Sequence, residues 1–226
     1  MSALALRGVW KTRGQSAQSL PALRDVSLSV DAGEFVLIEG PSGVGKTTLL
    51  AVSAGLLLPD SGDVELAGKM LGTMSGSEQR QHRARSVGFV FQRFNLLEAL
   101  SVRENVLLTA ALAGMSALNA GRATDELLER LGIASLRSRR PATLSGGEEQ
   151  RTAIARALVH SPAVVFADEP TGSLDSASGR VVAESLQAIA HARGAAVVGV
   201  THDPRLAQFA TRRLQMSDGR LVTAGG

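Results

Sequence analysis

The 226-residue chain is long enough for one large or two small domains and can bury most of its apolar surface without covalent staples. It contains no cysteine, which excludes disulfides, thiolate nucleophiles and Cys-based zinc sites and fits a reducing compartment. Its formal net charge of +3 is too small to argue for nucleic acid.

The opening MSALALRGVW has neither a basic leader nor a long apolar core, so no signal peptide is expected. Residues 24–30 alternate as a strand, with Val26, Leu28 and Val30 on one face and Ser27 and Ser29 on the other. Asp31-Ala32-Gly33 is turn chemistry. The short apolar run Phe35 to Glu39 stops at a glycine-rich segment, and Thr47 to Leu56 reads as a helix ending near Pro59. Val64 to Leu66 and Val87 to Phe91 are further strand candidates. From Ser101 to Gly132 the apolar spacing is helical. Within it, Leu107 to Leu118 is broken by Thr109, Gly114 and Ser116 and falls short of the roughly 18 apolar residues of a membrane span. A soluble chain is expected, reaching a membrane only through a partner. Thr152 to Val159 is another helix. Ala163 to Ala167 and Ala195 to Thr201 are unbroken runs of small and β-branched residues, which suit strands buried on both faces of a parallel sheet. Asp218-Gly219 sits between two short strand candidates as a tight hairpin. The arginines at 80, 83 and 85 and at 137, 139 and 140 read as solvated faces, with acidic headgroups or a partner as the alternative. The layout is an α/β core interrupted by a helical stretch near 93–158.

Three segments carry chemistry. Gly40-Pro41-Ser42-Gly43-Val44-Gly45-Lys46-Thr47 follows an apolar strand and opens a helix. Its glycines let backbone N–H groups turn inward around an anion, and the helix start adds its positive dipole end. Lys46 is placed to reach the β- and γ-phosphates of a nucleotide, Thr47 to offer its hydroxyl to Mg²⁺, and Thr48 to touch the α-phosphate. This segment specifies a nucleotide phosphate without separating a kinase, a GTPase, a helicase or a transport ATPase. Val164 to Ala167 delivers Asp168 and Glu169 to the carboxyl edge of the sheet, where ligands of open α/β sheets bind. Adjacent carboxylates at a strand end point apart, so Asp168 can hold Mg²⁺ while Glu169 polarises an attacking water. Finally, Leu144-Ser145-Gly146-Gly147-Glu148-Glu149-Gln150 opens a helix with a capping box, Ser145 to Glu148. The box leaves two consecutive glycines unexplained. They make sense where another group, such as a γ-phosphate, approaches the backbone closely.

With these three in order, the chain resembles the ATP-binding cassette (ABC) ATPases over essentially its whole length. LSGGEEQ is similar to that family's signature motif. The resemblance implies a single cassette over residues 1–226, an α/β P-loop NTPase fold. It has a RecA-like core (about 1–92 and 159–226), an antiparallel β subdomain and a helical subdomain (about 93–158). It implies ATP and Mg²⁺ as ligands and an ATP-bound homodimer in which Ser145, Gly146 and Gly147 of one chain contact the γ-phosphate held by the other. Gln92 resembles the Q-loop glutamine that meets Mg²⁺ or the attacking water, Asp175 in Ser173-Leu174-Asp175 the D-loop aspartate at the dimer interface, and His202 the switch histidine on the γ-phosphate. The family's adenine-stacking aromatic is replaced by Arg13, whose planar guanidinium can stack, with Trp10 as the other candidate.

Phe91-Gln92-x-Phe94-Asn95-Leu96-Leu97, Ser101-Val102-x-Glu104-Asn105-Val106 and the stretch Ala167 to Asp175 resemble one subgroup, the lipoprotein-releasing, macrolide-exporting and antimicrobial-peptide-resistance ATPases with a cell-division member. This implies a separate membrane permease as partner, no nucleic acid, no membrane span, and a cytoplasmic location on the inner face of the membrane. Residues 93–106 are expected to form the groove for the permease, lined by Phe94, Leu96 and Leu97. The competing expectation is a regulatory cassette that couples ATP to a cell-envelope or cell-division complex without transport. DNA-associated relatives need a long coiled coil, and translation-factor relatives need two cassettes in one chain; this chain has neither.

Overall fold

The structure, a computed structural model, describes residues 2–13, 20–172 and 174–223. Ten strands and six α-helices are assigned among them: β1 (Ser2–Thr12), β2 (Pro21–Asp31), β3 (Phe35–Glu39), α1 (Lys46–Ser53), β4 (Ser61–Leu66), β5 (Lys69–Met70), α2 (Gly76–Ser86), β6 (Val87–Val90), α3 (Val102–Leu112), α4 (Ala117–Arg130), α5 (Gly146–Leu158), β7 (Val164–Asp168), α6 (Ser176–Arg193), β8 (Ala196–Thr201), β9 (Arg212–Ser217) and β10 (Arg220–Thr223).

The strands form two sheets. The smaller is antiparallel, in the order β2-β1-β4-β5. The larger runs β10-β9-β3-β8-β7-β6, with β9, β3, β8, β7 and β6 parallel and β10 closing an antiparallel edge. The parallel strands alternate between two apolar clusters. Val36, Ile38, Phe166 and Val198 face α1 and the small sheet, whereas Phe35, Leu37, Val165 and Val197 face α3, α5 and α6. Burial on both faces is what the unbroken apolar runs require. The sandwich aims the carboxyl ends of β3, β6, β7 and β8 at one edge, which carries the site.

Local chemistry sets the boundaries. Helix α1 stops at Ser53, short of the expected Leu56, because Gly55 takes φ +66 and closes a C-terminal motif: Leu56 N–H donates to Ala51 O (2.8 Å) and Gly55 N–H to Val52 O (3.0 Å). The expected helical region 101–132 is two helices, interrupted where Gly114 takes φ +85. Asp218 and Gly219 both have positive φ, the geometry of a tight hairpin turn that matches strand twist. Helices α2, α3 and α5 each begin with a serine capping box. Two helices have no counterpart in the sequence expectations. Helix α2 is polar and buries only His82, so it carries no periodic apolar signal. Helix α6 buries Val182, Ala183, Leu186, Ile189 and Ala190, a helical stripe that the sequence does display.

Candidate functional site

Three loops meet at the carboxyl edge of the parallel sheet. The first runs from β3 into α1. Gly45 takes φ +110, and a Cβ there would stand 2.3 Å from Ala22 O, so no other residue fits. No side chain caps the start of α1, which leaves its first N–H groups directed into the loop. Lys46 is only 8% exposed, and its Nζ donates to Gly40 O (2.6 Å) and Pro41 O (2.9 Å). The loop's own carbonyls thus hold the ammonium across the cradle. Val44 turns inward against the first core cluster.

The second loop follows β7. Asp168 Oδ1 lies 3.4 Å from Thr47 Oγ1. Burial pushes the Asp168 carboxyl up from its ordinary value and the neighbouring Glu169 adds to this, while Thr47 and Lys46 pull it down. Glu169 turns the other way, with its backbone in the left-handed region (φ +47), a conformation that costs of order 1–3 kcal/mol for a non-glycine residue. Its carboxylate accepts from Thr201 Oγ1 (3.0 Å) and His202 N–H (3.3 Å), and its Oε1 lies 2.9 Å from His202 Nδ1. The two adjacent acids therefore have separate surroundings, as expected from their place at a strand end.

The third loop follows β6 and carries Gln92. With His202 from the loop after β8, the three loops frame a cleft of about 190 Å³, lined by Ser42, Gly43, Gly45, Lys46, Thr47 and Thr48 and by Gln92, Asp168, Glu169 and His202, and also by Arg13. Trp10 does not line it. That residue is 39% exposed on β1.

Other expected residues stand apart from the cleft. Ser145 and Gly146 are exposed at the start of α5, Gly147 is half-buried beside them, and none lines the cleft. Ser145 and Glu148 form the expected capping box, with Ser145 N–H donating to Glu148 Oε2 at 2.7 Å. That bond holds the Glu148 carboxyl below its usual range. A Cβ added at Gly146 would meet nothing within 4 Å, so packing in its own chain does not demand a glycine there. Asp175 is exposed and outside the cleft as well, and Ser173 lies outside the described residues.

Several contributors were not foreseen. Asp203 accepts from Thr171 Oγ1 (2.7 Å) and from Arg205 Nε (2.9 Å), while its own N–H donates to Thr201 Oγ1 (3.0 Å). Arg205 first, then Thr171, lower its carboxyl to about 2. Asn105, buried on α3, holds the 97–101 turn by accepting from Leu97 N–H (2.8 Å) and donating to Leu97 O (3.1 Å) and Leu100 O (3.2 Å). Arg156 on α5 donates to the carbonyls of Phe94 and Asn95. A further groove of about 570 Å³, mostly apolar, opens between α1, α2, β6 and α3, lined by Leu56, Arg80, Arg83, Phe89, Phe91 and Leu112 among others. No residue of 93–106 lines it; Asn105 and Arg156 hold that segment in place.

A cradle at a strand–helix junction, paired acids on the next parallel strand but one and a capped glycine helix start elsewhere define a P-loop nucleotide-binding fold. The ABC transporter family profile matches residues 23–172. The chain is 40% identical over 99% of its length to the macrolide export ATP-binding/permease protein MacB of Neisseria gonorrhoeae, of which it covers 34%. It is 39% identical over 96% of its length to the ABC transporter ATP-binding protein MJ1508 of Methanocaldococcus jannaschii, covering 96% of that chain. The chain thus spans about a third of the length of the MacB relatives. The dimeric ATP-binding cassette MJ0796 bound to ADP and Pi superposes with a TM-score of 0.90 at 35% identity, covering 99% of each chain. The protein belongs to the ABC transporter family, and its fold is that of the family's ATP-binding cassette. Among the described residues, no helix is long and apolar enough to cross a membrane.

Proposed function

We propose that the chain binds and hydrolyses ATP as a homodimer and drives a membrane permease. The observation that carries this reading is the split site. Lys46, Asp168 and Glu169 share one cleft, whereas Ser145 and Gly146 lie exposed outside it, with a glycine that its own chain does not require. A second copy turned head to tail brings such a helix start onto the cradle. MJ0796, similar over its whole length, is described as dimeric in a post-hydrolysis state with ADP and Pi.

In this reading the phosphates exchange the Gly40 and Pro41 carbonyls as partners of Lys46, and the N–H groups of residues 43–48 hold the chain of oxygens. Arg13 stacks on the base. Thr47 and Asp168 present two oxygens to one point with Gln92 in the same cleft, a donor set that suits Mg²⁺, an ion that takes few protein ligands and keeps several waters. An Mg²⁺ held there would supply charge neutralisation to the phosphates. Glu169 takes a proton from the attacking water, held in place by Thr201 and His202. On closing, His202 turns from Glu169 to the γ-phosphate of its own site. Asp175 crosses between the protomers, and Ser145, Gly146 and Gly147 bind the γ-phosphate of the partner's ATP.

Residues 93–158 move as a helical unit against the rest (1–92 and 159–226), and the 570 Å³ groove takes an apolar element of the permease between Leu56, Phe89 and Leu112, with Arg80 and Arg83 at its edge. This sets the chain on the cytoplasmic face of the membrane. The name ATP-binding/permease protein of the MacB relatives supports a permease partner and export or mechanical work beyond the membrane. The test is nucleotide binding by Lys46→Ala. The reading predicts a loss of affinity on the order of tenfold to a hundredfold, from one charge-assisted bond. An unchanged dissociation constant would remove the cradle from the account.

A further inference from the structure

We propose that Arg156 is a positioning residue that ties helix α5 to the Gln92 loop, so that capture of one nucleotide by the start of α5 sets Gln92 in the other site. The inference rests on the two-chain reading above and assigns the part that carries the signal.

The Gln92 loop is anchored at both ends by its own surroundings. On one side Phe91 stacks on Phe89, with ring centroids 4.2 Å apart. On the other, Asn105 pins Leu97 and Leu100. Between the two anchors Phe94 and Asn95 both adopt left-handed backbone, φ +48 and +52, which non-glycine residues hold only when surrounding contacts impose it. Beside the turn's own backbone hydrogen bonds, from Phe94 N–H to Phe91 O and from Asn95 N–H to Arg93 O, the side chain that holds it is Arg156. Its Nη2 donates to Phe94 O at 2.6 Å, and its Nη1 donates to Asn95 O. Two successive carbonyls are thereby held by one planar fork, a geometry that a lysine cannot reproduce.

Arg156 sits on the same helix as Gly146, ten residues further on, about 15 Å along a rigid rod. A second strut leaves α5 at Gln150, which is buried and donates from Nε2 to Pro170 O at 2.7 Å, directly after Glu169. Helix α5 thus reaches outward to the partner's γ-phosphate by its start and inward to the loops carrying Gln92 and Glu169 by its body. A shift of the helix on closing moves the Phe94 and Asn95 carbonyls, and Gln92, two residues away, moves with them. Such a linkage makes hydrolysis cooperative in ATP, because each site is completed through the helix that engages the other.

The test is Arg156→Lys, read in steady-state hydrolysis, equilibrium ATP binding and thermal unfolding. The linkage predicts kcat lowered on the order of tenfold to a hundredfold. It also predicts a Hill coefficient for ATP that falls to about one, with ATP affinity and unfolding midpoint at parent values. Parent-like kcat and Hill coefficient overturn it, and so does a loss of kcat that merely follows a loss of affinity and stability. A second measurement does not depend on that variant folding. In Glu169→Gln, amide exchange of residues 93–97 slows when ATP closes the dimer; in a Ser145→Arg chain that binds ATP without closing, it does not. Exchange at 93–97 that ignores closing overturns the linkage while leaving the dimer intact. A Glu169→Gln chain that stays monomeric in ATP removes the two-chain reading itself, and the linkage with it.

Discussion

Asp203 joins the segment after β7 to the loop carrying His202, and its charge is what makes the joint hold. Arg205, beside it, lowers the carboxyl from 3.8 to about 2. The folded value is below the unfolded one, so the stabilisation is fully present above pH 3.8 and fades as pH falls through about 2. Asp203→Asn is therefore expected to cost roughly 2 kcal/mol at pH 7, and its stability should converge on that of the parent below about pH 2. Denaturant unfolding of both chains across that range checks it; a pH-independent difference would mean that the carboxylate's charge is not the cause. Nothing in the sequence announced this residue. Lys46 and Asp168 were legible because they stand in local patterns beside a strand end, and Gln92 through the family resemblance. Asp203 meets Thr171 32 positions away, and Arg156 meets Phe94 at a separation of 62, so their parts exist only after folding.

At the scale of elements, α5 carries a tension between stability and function. Its first residue is a glycine with open space around it, although an alanine would make a better helix. Gly146→Ala is expected to leave unfolding stability unchanged or raise it by up to about 1 kcal/mol, while weakening ATP-driven closing, because the added methyl stands where the partner's phosphate must come. A stability loss comparable to that of a core truncation would show that Gly146 serves the chain's own packing. The parallel strands were legible as unbroken apolar runs, since β3, β7 and β8 are buried on both faces. Helix ends were less so. The stop at Ser53 depends on Gly55 adopting φ +66, and the break at Gly114 on φ +85, which composition alone does not dictate. Helix α2 escaped because one buried histidine among polar residues leaves no periodic mark.

The whole molecule is half of a machine in this account. In the proposed reading one cassette supplies the cradle, the metal-facing pair and the base, and the start of its α5, which lies outside its own cleft, serves the partner's site. Both halves were legible in the sequence, because each is a contiguous motif. The 570 Å³ groove was not legible, because it is assembled from α1, α2, β6 and α3 and no single segment displays it. The most direct measurement is the solution mass of Glu169→Gln by light scattering, with and without ATP and Mg²⁺, alone and combined with Ser145→Arg. The account predicts a doubling of mass in ATP for Glu169→Gln and none for the combined variant, which still binds ATP. A Glu169→Gln chain that saturates with ATP and keeps the mass of one protomer would contradict it.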